Sequence, residues 1–243
     1  VNDGSAPGAI LRCAAAQVGF LAVGSTVRRL RVGVRASRGQ VAPYRAAWEE
    51  RRVAADTGTG PLWVVLGDSA AQGVGATAFD AGYVGQVQQR LEARDGVPWR
   101  VVNLAVSGAR AADVLREQIP LLLSLGGTAD LVTCLVGGND LLRTPSAALL
   151  ATFRSILAAL PRGTVVGTMP QGLGRRKAGQ VNALIRSVAP AAGLLVADVW
   201  ERTGPPWRGK YADDFFHPNE LGYADWADAL AEALGLPATP APR

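Results

Sequence analysis

A single histidine, His217, occurs in the 243 residues. Any imidazole that takes or gives a proton must therefore be this one, and a metal site built on several His ligands is excluded. Asp214 stands three residues earlier, so one turn of chain can return its carboxylate to the ring and fix the tautomer. Asp213 is a rival for that position, and Asp214 is the better placed. An imidazole base needs a nucleophile, and Ser69 in Gly67-Asp68-Ser69 offers a hydroxyl. A tetrahedral intermediate formed on that hydroxyl needs donors for its oxyanion. Asn139, in Gly137-Gly138-Asn139-Asp140, can give a side-chain N–H, while Gly108 and Ser69 can give backbone N–H groups. Gly-Asp-Ser, Gly-Gly-Asn-Asp and a His before Pro are each common in turns. Their occurrence together, in order and closed by the one histidine, points to acyl transfer through a serine.

These residues need elements that bring them to one edge. Leu62 to Leu66 is a short apolar run that reads as a buried strand, with its core at Trp63–Leu66, and Ser69 lies in the turn that ends it. Four more strands are predicted over 99–104, 130–136, 164–169 and 194–199. Helices are predicted over 83–94, 110–125, 146–160, 180–189 and 219–234, with Pro120 breaking or kinking the second. Strands alternating with helices imply a five-stranded parallel sheet with helices on both faces. In such a sheet the loops after the strands share its C-terminal edge, where ligands bind. Ser69, Gly108, Asn139 and the Asp214–His217 pair all follow predicted strands.

On these motifs the sequence resembles the SGNH (GDSL-type) hydrolases. Gly67-Asp68-Ser69 matches the family's first block, Gly108 the second, Asn139 the third and Asp214-Phe215-Phe216-His217 the D-x-x-H block. The resemblance covers roughly residues 61–236. It implies a three-layer α/β/α sandwich of flavodoxin-like type, with Ser69 as nucleophile, His217 as base, Asp214 as acid, and Ser69, Gly108 and Asn139 as oxyanion hole. It further implies an activity that cleaves or transfers acyl groups without a cofactor.

The chain divides into an N-terminal basic helical extension (1–58), a catalytic domain (59–236) and a Pro-rich disordered tail (237–243). Hydrophobic residues make up 49% and charged ones 19%, as in a soluble globular protein. The net charge of +5 resides wholly in the extension, which has nine Arg against four acids, while the remainder is neutral. A neutral body argues against nucleic-acid binding. Residues 9–27 are apolar but interrupted by Arg12, Gln17, Gly19 and Gly24, and run into Arg28, Arg29, Arg31, Arg35 and Arg38. The uninterrupted stretch is too short to span a bilayer. The expectation is a helix docked on the domain, with peripheral contact of residues 9–38 with an anionic membrane surface as the alternative. A second short helix is expected over 43–52, with Tyr44 and Trp48 on one face. If the extension is only a surface element, removing residues 1–40 leaves a competent catalytic domain. Cys13 and Cys134 read as free thiols, which fits a cytoplasmic setting.

The expected substrate is a small or medium-chain acyl ester of a lipid or sugar, hydrolysed through an acyl-enzyme. Leu141, Leu142, Arg175, Arg176, Trp207 and Tyr211 are the candidate substrate contacts. The run Gly174-Arg175-Arg176-Lys177 reads as a loop, and an acyl-CoA donor would give its charge a purpose. That allows an acyltransferase with a sugar or polyol acceptor as the alternative; a non-catalytic binding protein is the second alternative.

Overall fold

The computed structural model describes residues 23–237. The first part of the apolar stretch, Cys13 and the tail beyond Pro237 lie outside the described residues. Five strands, β1 (Leu62–Gly67), β2 (Arg100–Asn103), β3 (Leu131–Leu135), β4 (Val165–Gly167) and β5 (Leu195–Ala197), form one parallel sheet in the order β2-β1-β3-β4-β5. All five lie where the sequence predicts them; β1 runs one residue further, to Gly67, and the other four are trimmed at their ends.

β1 is buried along its whole length, and its alternation builds two cores. Leu62, Val64 and Leu66 face Leu149, Phe153 and Ile185, carried by helices Ser146–Ala159 and Arg175–Val188. Trp63 and Val65 face Val87, Leu91 and Tyr223, carried by helices Tyr83–Asp95 and Glu220–Ala233. A sheet buried on both faces is the three-layer α/β/α arrangement. Strand order reverses at β1, which has β2 on one side and β3 on the other. β1 and β3 pair from Trp63↔Leu131 to Gly67↔Leu135, so their loops leave at the same level. That crevice is the topological switch point of the sheet.

Two helical expectations change. Helix α1 (Val23–Thr57) is continuous through Pro43, so residues 43–52 are not a separate helix. Pro43 and Gly39 are both exposed, so the carbonyl that loses its partner at the proline can be met by water. The helix over 175–188 starts five residues earlier than expected. Gly174 adopts a left-handed conformation before it, and the basic run becomes its first turn rather than a loop. The expected disturbance at Pro120 is a π turn, Val114–Gln118, between short helical pieces Ala111–Asp113 and Ile119–Ser124. Widening the turn just before a proline relieves the clash of its ring with the preceding turn.

α1 docks by one stripe. Leu30, Gly33, Ser37, Trp48 and Ala55 are buried and recur every three to four residues or multiples of that spacing. Its C-terminal half lies along β2, the edge strand, where Arg100 Nη1 donates to the Ala55 carbonyl at 3.0 Å. Covering that edge protects its open hydrogen-bonding groups. Trp48 is 2% exposed, and its Nε1 donates to the Gln72 carbonyl at 3.2 Å. α1 is therefore packed into the domain rather than laid on it. Among the described residues, no helix is long and apolar enough to cross a membrane.

Candidate active site

The turn carrying Ser69 is held at its root. Gln118, fully buried in the π turn, accepts from Gly67 N–H at 2.8 Å and donates to the Gly67 carbonyl at 2.8 Å. This side chain acts as one residue of a neighbouring strand. Gly67 has no room for a Cβ, which would meet the Leu135 carbonyl. Beyond it, Ala71 N–H closes on the Asp68 carbonyl and Val74 N–H on the Ser69 carbonyl, both at 3.1 Å. The Ser69 side chain emerges at the switch point.

Asp214 and His217 come from a tight turn between Tyr211 and Pro218, which bridge each other. Phe215 has φ 55°, a left-handed conformation that costs energy in a bulky residue. The turn is held by the carboxylate itself. Asp214 Oδ1 accepts from the N–H groups of Phe216 at 2.9 Å and His217 at 3.0 Å. Its Oδ2 lies 2.6 Å from His217 Nδ1, and His217 Nε2 lies 2.9 Å from Ser69 Oγ. An ionised carboxylate only accepts, so the ring proton sits on Nδ1 and Nε2 keeps a lone pair for the Ser69 hydroxyl. Burial alone would raise the Asp214 carboxyl. Hydrogen bonds from His217, Ser37 and the Phe216 N–H outweigh it and hold the group below the ordinary carboxylate range. Asp213 is exposed, and it is the Asp214 carboxylate that lies against the His217 ring.

The other expected donors lie in the loops that follow β2 and β3. Asn139 lies in a single 3-10 turn, Gly138–Asp140, and its Nδ2 donates to the Ala109 carbonyl at 3.0 Å. That bond ties the β3 loop to the β2 loop at the residue after Gly108, which has φ 84°. The buried Asp140 adds a second tie. Its carboxylate accepts from the Ala111 N–H at 2.8 Å and the Thr144 hydroxyl at 2.6 Å. Neither the Ser69 nor the Gly108 N–H donates to a backbone carbonyl among the described residues.

Asp68 is 7% exposed and lies on the wall of the site. Burial pushes its carboxyl up to about 6, although the Ala70 N–H at 3.0 Å and the charge of His217 pull the other way. Asn139 Nδ2 also lies 3.5 Å from its Oδ2. Cys134, buried beneath the site, is pushed up to about 12 by burial, then by Asp68, and stays a thiol.

Next to Ser69 opens a cavity of about 90 Å³, lined by apolar groups that include Leu135, Leu141, Met169, Phe215 and Trp226. Of the six candidate substrate contacts, Leu141 and Tyr211 line it. Leu142 does not, being 52% exposed. Arg175 stacks on Trp200 at 5.7 Å, Arg176 points to solvent, and Trp207 lies outside the lining. Lys177 is spent on structure, donating to the Leu141 carbonyl at 2.8 Å and the Thr144 carbonyl at 2.6 Å. Gln118 and Ser37 are the site residues that sequence reasoning missed. No local pattern marks either. Among the described residues, no group of three or more His, Cys, Asp or Glu could hold a metal ion.

The model of the GDSL-like lipase/acylhydrolase family matches residues 65–224, well over half of the chain. No curated protein matches the sequence. Solved structures share the fold. The lipase Lip_vut3 from a goat rumen metagenome superposes with TM-score 0.63 at 19% identity, over 72% of this chain and 97% of its own. Axe2, an acetylxylan esterase from Geobacillus stearothermophilus, gives 0.62 at 22% identity, over 76% of this chain and 99% of its own. TesA gives 0.59 at 25% identity, over 71% of this chain and 97% of its own.

Proposed function

The chain belongs to the GDSL-like lipase/acylhydrolase family, and on that premise we propose that it hydrolyses acyl esters through an acyl-enzyme on Ser69. The observation that carries the reading is the hydrogen-bonded series Ser69 Oγ, His217 Nε2, His217 Nδ1, Asp214 Oδ2, with separations of 2.9 and 2.6 Å at its two junctions. Ser69 Oγ attacks the ester carbonyl while His217 Nε2 takes its proton. Asp214 holds the ring in the productive tautomer and stabilises the imidazolium. The oxyanion is met by the backbone N–H groups of Ser69 and Gly108 and by Asn139 Nδ2. Nδ2 has two hydrogens: one is used by the bond to Ala109, and the other, 3.5 Å from Asp68 Oδ2, exchanges that long contact for the oxyanion. Collapse expels the alcohol, which takes the proton from His217. Water then enters along the same path and releases the acid.

The apolar cavity beside Ser69 supports small or medium acyl groups. The fold neighbours include a lipase and an acetylxylan esterase, which supports lipid or sugar esters as the class. An acyl-CoA donor draws no support from the basic run at 174–177, because Lys177 and Arg175 are engaged within the protein. Hydrolysis is therefore preferred to transfer, and the peripheral membrane setting stays with the exposed Arg31 and Arg35 of α1. The test is turnover of p-nitrophenyl acetate and butyrate by the parent and Ser69→Ala, with and without sugar acceptors. The reading expects free acid as product and loss of at least about 1000-fold in kcat on substitution. Retained turnover, or acyl-sugar formed in preference to acid, would overturn it.

A further inference from the structure

α1 lies outside residues 65–224, the part that matches the family. Yet it touches both halves of the proposed catalytic machinery. On one side, Gln40 Nε2 and Tyr44 Oη each donate to the Ala76 carbonyl at 2.8 Å, and Gln40 Oε1 accepts from the Gly75 N–H at 2.9 Å. Gly75 and Ala76 belong to the loop that begins at Ser69. On the other side, Gly33 seats the helix directly on the turn of the acid: a Cβ there would collide with the Asp213 carbonyl and the Asp214 nitrogen. One helical turn later, the buried Ser37 donates its hydroxyl to the Asp214 carboxylate. The other donors to that carboxylate are Phe216 N–H, His217 N–H and His217 Nδ1, all within the turn itself. They shape the turn but cannot place it. Among the described residues, Ser37 is the donor that reaches Asp214 from a separate element.

We propose that α1 is a splint between the Ser69 loop and the Asp214–His217 turn, and that Ser37, seated through Gly33, is a positioning residue that holds Asp214 and so keeps His217 on Ser69. Ser37 touches no reacting atom and acts through Asp214. The proposal rests on the esterase reading above. It also means that removal of residues 1–40 does not leave a competent site.

The test compares Ser37→Ala and Gly33→Ala with the parent in the full chain, using p-nitrophenyl butyrate. Active sites are first titrated with a fluorophosphonate, so that kcat is expressed per competent serine. A positioning role moves kcat and leaves KM within two-fold. The loss of one hydrogen bond to a charged group corresponds to a fall of about 10- to 150-fold in kcat for Ser37→Ala. Gly33→Ala, which favours an isolated helix, lowers kcat as well because it lifts α1 off the turn. A smaller fall per titrated site in Ser37→Ala, or a loss carried by KM, overturns the proposal even if less protein folds. Ser69→Ala serves as the separate control: if it remains active and unlabelled, the esterase reading fails, whatever Ser37 does.

Discussion

Asp68 carries a charge at a cost, and replacing it should expose that cost as a pH-dependent gain in stability. The folded carboxyl sits at about 6 against an ordinary value of 3.8. A carboxyl raised by folding contributes stability in full below 3.8 and loses it as pH rises through about 6. That difference corresponds to about 3 kcal/mol at pH 8. Asp68→Asn removes the ionisation and can keep an oxygen on the Ala70 N–H. The new amide nitrogen then faces Asn139 Nδ2 across 3.5 Å, donor against donor, which takes back about 1 kcal/mol. The net gain at pH 8 is about 2 kcal/mol, or roughly 4–8 °C in Tm for a chain of this size. Near pH 4 the native Asp68 is neutral and only the donor conflict remains, so the variant melts slightly below the parent. The sign reverses at about pH 4.5. Differential scanning calorimetry of both proteins from pH 4 to 8 reads this directly. A difference in Tm that stays constant with pH would refute the argument. The variant should also turn over more slowly, because the charge it removes acts on His217.

Two further outcomes follow from the same contacts. Asp214→Asn keeps an acceptor for the Phe216 and His217 N–H groups but turns an amide N–H toward His217 Nδ1. The ring must take the other tautomer, and kcat should fall by about 10³–10⁴ with KM little changed in steady-state assays. Trp48→Ala empties the main anchor of α1 and leaves the Gln72 carbonyl without its indole donor. It should cost about 3–5 kcal/mol in denaturant unfolding, whereas a helix merely resting on the surface would lose less than about 0.5.

The sheet and the residues proposed to react were legible because each had a local signal. β1 is apolar without interruption since both its faces are buried, and its end is punctuated by glycine. Ser69, Gly108 and Asn139 follow strands, and a parallel sheet sends all such loops to one edge. Asp214 and His217 declare themselves by spacing within one turn. What was not legible depends on distant partners. Pro43 looks like a helix start, and only the long docked face of α1 carries the helix through it. Arg175, Arg176 and Lys177 look like a charged loop because the carbonyls that capture Lys177 lie more than thirty residues earlier. A serine inside a basic helix resembles surface until Ser37 is seen on Asp214, and Gln118 has meaning only beside Gly67.

Ser69 Oγ is the atom that carries the acyl group in the proposed reaction. The direct measurement is intact-mass and peptide-mapping analysis after incubation with a fluorophosphonate at pH 8. One adduct per chain on Ser69, formed at least about 100-fold more slowly in Asp214→Asn, is the predicted result. An adduct on another residue, or none while esterase activity persists, would contradict the account.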